Sequence, residues 1–152
     1  MLSKKAKYAI KALEYLAQKD SEVPVLISEI AKEQTIPKKF LEVILLELRK
    51  DGILRSKIGK NGGYFLQLPS KEIQLGRIIR LMDGPIALVP CVSSKYYAPC
   101  AECKDEATCG LHHVMAKVRE ATGNILDNVT LYEIVKREKQ LLKTARKNTK
   151  KT

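Results

Sequence analysis

The sequence predicts a mainly α protein with a small β-wing, and three observations carry that reading. Two amphipathic helical stripes are joined by a tight turn at Thr35-Ile36, and the second opens at Pro37. Two runs of strand composition, Ile53 to Lys57 and Tyr64 to Leu68, flank the glycine-rich segment Ile58-Gly59-Lys60-Asn61-Gly62-Gly63, which has hairpin chemistry. Beyond residue 110, apolar side chains recur at helical spacing in a strip too apolar for a monomer to expose, which points to a two-fold dimer. The expected architecture is a winged helix-turn-helix domain plus a long C-terminal dimerisation helix.

Each element has its own signal. From Ser3 to Lys19, Tyr8, Ala9, Ile10, Leu13, Tyr15, Leu16 and Ala17 fall mostly on one helical face, with Lys4, Lys5, Lys7 and Lys11 largely outside it. Asp20 to Pro24 is a loop, and Ser28 has the chemistry of an N-cap for a short helix carrying Ile30 and Ala31. Pro37 suits the first position of the next helix, whose buried stripe is Phe40, Leu41, Ile44, Leu45 and Leu48. Gly52 ends that helix as glycine does where the backbone turns left-handed. After the wing, Leu75, Ile78, Ile79, Leu81 and Met82 mark a short helix stopped by Gly84-Pro85. One long helix or two collinear ones follow, through Val114, Met115 and Val118 and then Ile125, Leu126, Val129, Leu131, Ile134 and Val135. Lys143 to Thr152 has no apolar period and reads as a disordered basic tail. The predicted division is 1–84 for the DNA-binding domain, 85–110 for a cysteine-rich loop, 111–142 for the dimerisation helix and 143–152 for the tail.

A chain of 152 residues has the length of about one domain, enough for a core without disulfides. The net charge of +11 is unevenly spread. Residues 1–80 hold 16 Lys or Arg against 9 Asp or Glu, residues 81–135 hold 4 against 7, and residues 136–152 hold 8 against 1. Basic ends around an acidic middle suggest a polyanion partner, and no helix has the Lys-rich and Trp/Phe/Leu-rich faces of a membrane-surface binder. No stretch approaches the ~18 apolar residues of a membrane span. A soluble cytoplasmic protein is expected, in a compartment that keeps thiols reduced, so its cysteines are metal ligands or redox sensors rather than disulfide partners.

Those cysteines are concentrated in Cys91-x8-Cys100-x2-Cys103-x5-Cys109-x2-His112. Thiolates prefer zinc, copper(I) and iron–sulfur clusters. A zinc knot of Cys100, Cys103, Cys109 and His112 has suitable spacing and leaves Cys91 unused. A cluster with imidazole on one iron is the other reading, and its lability suits a sensor. His113 is expected to point about 100° away from His112 and to be a bystander.

The residues resemble the IscR/NsrR-type (Rrf-two) family of bacterial transcription regulators. The likeness runs through Lys7-Tyr8-Ala9, Ile36-Pro37-x-x-Phe40-Leu41-Glu42, Leu48-Arg49-Lys50-x-Gly52-Ile53-Leu54, Gly59-x-x-Gly62-Gly63-Tyr64, Leu75-Gly76-x-Ile78-Ile79, the cysteine loop and Asn128-Val129-Thr130-Leu131. The resemblance implies a winged-helix homodimer on a partly palindromic duplex DNA operator. It also implies an iron–sulfur cluster, of [2Fe-2S] type for three cysteines and one histidine, on Cys91, Cys103, Cys109 and His112. The chain departs from the family pattern in three places. The longer first interval contains Cys100, an alternative ligand in place of His112 or Cys91. Around Lys7, Tyr8 and Ala9 there is no carboxylate of the kind some relatives use as a ligand. The wing has Ile58 before Gly59 where an arginine is common, leaving Lys57 or Lys60 to contact DNA.

For DNA, Lys38 and Lys39 are expected at phosphates or guanine edges unless they are merely solvated. Glu42 is expected at cytosine N4 unless it caps or pairs within its helix. Lys57, Lys60 and Asn61 are the wing candidates. The expected function is transcription regulation through a cluster-dependent operator affinity. The alternatives are a zinc-stabilised or thiol-redox regulator and a cofactor-less repressor controlled by a partner or metabolite. A Cys/His nucleophilic enzyme is the least supported reading, because nothing marks a substrate pocket or an orienting acid.

Overall fold

A computed structural model describes residues 2–19 and 21–149 of the chain, with side chains through residue 146. Among the described residues, six α-helices, three 3-10 turns and one two-stranded antiparallel sheet make up the regular structure. Helix α1 (Lys4–Leu16) starts where Ser3 Oγ accepts a hydrogen bond from the Ala6 N–H, and it buries Ala6, Ala9, Ala12, Leu13 and Leu16. Helices α2 (Ile27–Glu33) and α3 (Lys38–Lys50) are joined by a turn in which Thr35 takes a positive φ of 53°. In α3, Leu41, Ile44, Leu45 and Leu48 are buried at i, i+3, i+4 and i+7, the spacing of one helical face.

Three details differ from expectation at this level. Ser28 does not cap α2, because the helix begins at Ile27 behind Leu26, which offers no side-chain cap. Pro37 stands one residue before α3 rather than inside it. Phe40 stays 37 % exposed on the rim, where it meets the Tyr8 ring edge-on at 5.7 Å.

Gly52, at φ 79°, turns the chain out of α3 into strand β1 (Leu54–Lys57), which pairs with β2 (Gly63–Leu66) in the register Leu54↔Leu66 to Lys57↔Gly63. Gly63 is required there: a Cβ would run into the backbone carbonyl of Val25, which bridges Tyr64. Helix α4 (Leu75–Asp83) buries Ile78, Ile79 and Met82 and ends at Gly84 with φ 85°.

The C-terminal segment departs most from expectation. Where one long helix or two collinear ones were expected, helix α5 (Gly110–Asn128) stops at Val129-Thr130, both outside helix. The Leu75 N–H donates to the Val129 carbonyl and the Leu131 N–H to the Ile73 carbonyl. This pairing returns the chain to the winged-helix domain, so that Leu131 and Val135 of helix α6 (Leu131–Thr149) are buried and Leu131 joins the core. Among the α-helices of the described residues, α5 alone has no buried residue. Residues 143–149, expected to be disordered, continue α6, and residues 150–152 of the expected tail lie outside the described residues.

Candidate metal centre and nucleic-acid interface

The cysteine segment is built against the N-terminal half of α5. A 3-10 turn at Pro90–Val92 buries Val92, whose carbonyl accepts a hydrogen bond from Arg119 Nη1 at 2.7 Å. Ser93 Oγ accepts from the Tyr96 N–H at 3.0 Å and fixes the next bend. A second 3-10 turn, Glu106–Thr108, is capped by Asp105, and it delivers Cys109 to the N-cap of α5, where its Sγ accepts the His112 N–H at 3.4 Å. Since Cys109 caps the helix, His112 falls in its first turn, and the two residues share one end of α5.

The result is a cavity of about 320 Å³ whose wall contains all five predicted donors: Cys91, Cys100, Cys103, Cys109 and His112. The Cys109 thiol is pulled below its ordinary pKa, first by the backbone N–H of His112 and then by the neighbouring Cys103 thiol. Cys103 is pushed up, first by the proximity of Cys109. Cys100 is pushed up as well, by donating to Glu102 Oε2 at 3.1 Å. No disulfide joins these residues, and all four thiols are free. His113 is exposed on the helix and does not line the cavity.

Glu106 also lines the cavity and was not anticipated. Its Oε1 accepts from the Tyr97 hydroxyl at 2.9 Å, and its Oε2 stands 3.9 Å from His112 Nδ1. That nitrogen is buried without a hydrogen-bond partner. Buried polar atoms are rarely left so, and a neutral imidazole nitrogen beside thiols has the chemistry of a metal donor. Thiolate, imidazole and carboxylate donors around an orphaned nitrogen fit an iron–sulfur cluster or zinc. The sequence signal for Glu106 was its place inside the Cys103-x5-Cys109 interval, too short a span to leave the site.

The second candidate surface is the outer face of α3 with the wing. Lys38, Lys39 and Glu42 are exposed on α3, and Lys57, Lys60 and Asn61 at the wing. Among the described residues, none of these five ionisable side chains takes part in an ion pair, so the expected pairing of Glu42 within its own helix is absent. Beyond Glu42, α3 also exposes Val43 and Leu46, apolar side chains that helical spacing did not single out, and the wing tip carries Ile58, 95 % exposed. An apolar side chain in a line of cations suits a groove that offers both phosphates and thymine methyl groups.

The sequence model of the Rrf2 family, described as an iron-dependent transcriptional regulator, matches residues 2–137. The chain belongs to the Rrf2 family. It is 41 % identical over 138 residues to an rrf2-like HTH-type regulator of Rhodobacter capsulatus, covering 89 % of this chain and 92 % of that protein. It is 29 % identical over 147 residues to the regulator IscR of Serratia proteamaculans, covering 97 % of this chain and 86 % of that one. Among solved structures, CymR of B. subtilis, described as the global cysteine regulator, superposes with a TM-score of 0.73 at 28 % identity, covering 90 % of this chain and 97 % of CymR. IscR of T. potens gives 0.70, also at 28 % identity, covering 91 % and 88 %. This Rrf2-family chain is a transcriptional regulator and not an enzyme. Regulators of the family bind DNA, and no helix among the described residues is long and apolar enough to cross a membrane.

Proposed function

We propose that this Rrf2-family regulator binds a duplex operator as a homodimer, and that an iron–sulfur cluster of [2Fe-2S] type on Cys91, Cys103, Cys109 and His112 sets its operator affinity. The observation that carries this is the convergence of those four side chains on one cavity at the N-terminus of α5, with His112 Nδ1 buried and unpaired. When bound, such a cluster supplies a redox-labile centre that oxidants or scarcity of iron can remove.

The chain's own residues do the rest. Cys109 is both N-cap and donor, so the state of the loop acts on the first turn of α5. Along α5, Leu111, Val114 and Ile125 are 62 %, 51 % and 65 % exposed, and their spacing of 3 and then 11 residues aligns them as a helical seam. A second copy covers that seam and sets two α3 helices against successive major grooves, about 34 Å apart. A tenfold change in operator affinity requires only about 1.4 kcal/mol of coupling between loop and DNA face.

A thiol-redox switch is the second reading, favoured by the free Cys103 and Cys109 thiols lining one cavity. A Staphylococcus aureus CymR structure is described as an oxidized form. A cofactor-less repressor leaves the convergence of thiols and imidazole without a purpose.

Anaerobic purification followed by iron and acid-labile sulfide analysis decides between them. The cluster reading expects about two of each per chain and a visible band lost in Cys103→Ala and Cys109→Ala. A colourless protein whose Cys103 and Cys109 form a disulfide on mild oxidation, with a parallel change in DNA binding, supports the thiol switch instead.

A further inference from the structure

We propose that the loop also forms a site for a single divalent ion of the zinc or ferrous class, held by Cys91, Glu106 and His112. The ligand set differs from both sets read in the sequence, since it uses a carboxylate and neither Cys103 nor Cys109.

Donor atoms of these three residues all lie within 4.8 Å of one another. His112 Nδ1 and Glu106 Oε2, 3.9 Å apart, are too distant for a hydrogen bond. Two nitrogen or oxygen ligands on one zinc at about 2.0–2.2 Å stand roughly 3.3–3.6 Å apart in a tetrahedral shell, so a few tenths of an ångström of closure brings them to ligating distance. The remaining valences of Glu106 are arranged for this: Oε1 is taken by the Tyr97 hydroxyl at 2.9 Å, leaving Oε2 on the imidazole side. The other two thiols are meanwhile engaged elsewhere: Cys103 donates to the Asp105 carbonyl at 3.5 Å, and Cys109 accepts the His112 N–H at the N-terminus of α5.

The charges balance. One thiolate and one carboxylate neutralise a dication with neutral imidazole as third ligand, and the cavity of about 320 Å³ leaves room for water at a fourth position. A mixed sulfur, nitrogen and oxygen set selects zinc, ferrous iron or cobalt(II) over magnesium and calcium, which require oxygen. Because Cys91 and His112 also belong to the proposed cluster set, ion and cluster exclude one another. The ion site itself does not rest on the cluster reading.

Cobalt(II) is the probe, titrated anaerobically into the reduced, metal-free full-length protein and followed by the thiolate-to-cobalt charge-transfer band and the visible ligand-field bands. One equivalent per chain is expected, with the charge-transfer band lost in Cys91→Ser and the affinity lowered roughly tenfold or more in Glu106→Gln. Cys103→Ser is expected to bind cobalt within about twofold of the parent while failing cluster reconstitution, which separates the two sites. Thermal melts by circular dichroism verify that each variant is folded. The proposal is overturned by absence of stoichiometric binding, by parental affinity in Glu106→Gln, or by loss of the band in Cys103→Ser, which would move the ion to the knot of Cys100, Cys103, Cys109 and His112.

Discussion

Arg77 and Arg80 leave α4 three residues apart and grip opposite ends of the machinery. Arg77 donates to the Asp51 carboxylate at 2.8 Å and to the Asp51 carbonyl at 2.6 Å, and Asp51 is the C-cap of α3. Arg80 makes a two-pronged contact with Asp127 of α5, at 2.6 and 2.7 Å. Just before Arg77, α4 comes so close to α5 that a Cβ on Gly76 would strike the Asp127 carboxylate. Helix α4 is therefore a strut: one arginine holds the end of α3, on which the proposed DNA contacts sit, and the other holds α5, which Cys109 caps.

The strut predicts a separation of stability from coupling. The Arg80 and Asp127 side chains are 42 % and 46 % exposed, so Arg80→Ala should cost no more than about 1 kcal/mol in urea melts. The same change should shrink the difference in DNA affinity between metal-loaded and metal-free protein, measured by fluorescence anisotropy. An unchanged difference would remove α4 from the path.

The same pair gives a pH dependence. Hydrogen bonds from Arg80 hold the Asp127 carboxyl below its ordinary range. A carboxylate depressed on folding stabilises fully above its unfolded pKa, about 3.9, and the contribution is lost as pH falls from there through the folded value. The parent should thus lose more stability than Arg80→Ala in acid melts below about pH 4, and the two curves should run parallel near neutrality.

On the DNA face, Lys38→Ala combined with Lys39→Ala should weaken binding to all duplexes and lower the slope of log K against log salt by about 2 if both lysines sit on phosphates. A loss confined to one base position, with the slope intact, would assign them to guanine edges instead.

The return of α6 to the core has a direct test in stability. Leu131 is fully buried, so Leu131→Ala should cost about 2–5 kcal/mol. Ile125→Ala, on the exposed seam of α5, should change monomer stability by no more than about 0.5 kcal/mol and weaken self-association in sedimentation equilibrium. Equal effects at the two positions would contradict the division between α5 and α6.

In reduced, metal-free protein Cys109 should be alkylated faster than Cys100 and Cys103 near neutral pH, because its lowered pKa gives more thiolate. Peptide mapping after a short pulse of iodoacetamide reads the order, and denaturation should level it.

Much of this was legible before folding. The stripe Leu41, Ile44, Leu45 and Leu48, the turn at Thr35 and the left-handed Gly52 are local signals, and the structure places them as the spacing suggests. The break between α5 and α6 was not legible, because Val129-Thr130 contains neither glycine nor proline. It is made by tertiary pairing of Thr130 with Gln74 and by burial of Leu131. Residues 143–149 lack an apolar period yet are rich in Lys, Arg and Ala, strong helix formers that extend a helix already nucleated by packing. At the site, spacing pointed to the thiols and His112, which line one cavity. Glu106 needed the 3-10 turn that swings it toward the imidazole, which no periodicity announces.

The central claim is that occupancy of the thiol pocket retunes DNA binding. Its direct measurement is anaerobic fluorescence anisotropy on a duplex selected from a random pool, comparing the reconstituted protein with its metal-free form and with Cys103→Ala/Cys109→Ala. The account predicts at least a tenfold difference between the first two, with the double variant fixed at the metal-free affinity. Equal affinities for loaded and metal-free parent would contradict it.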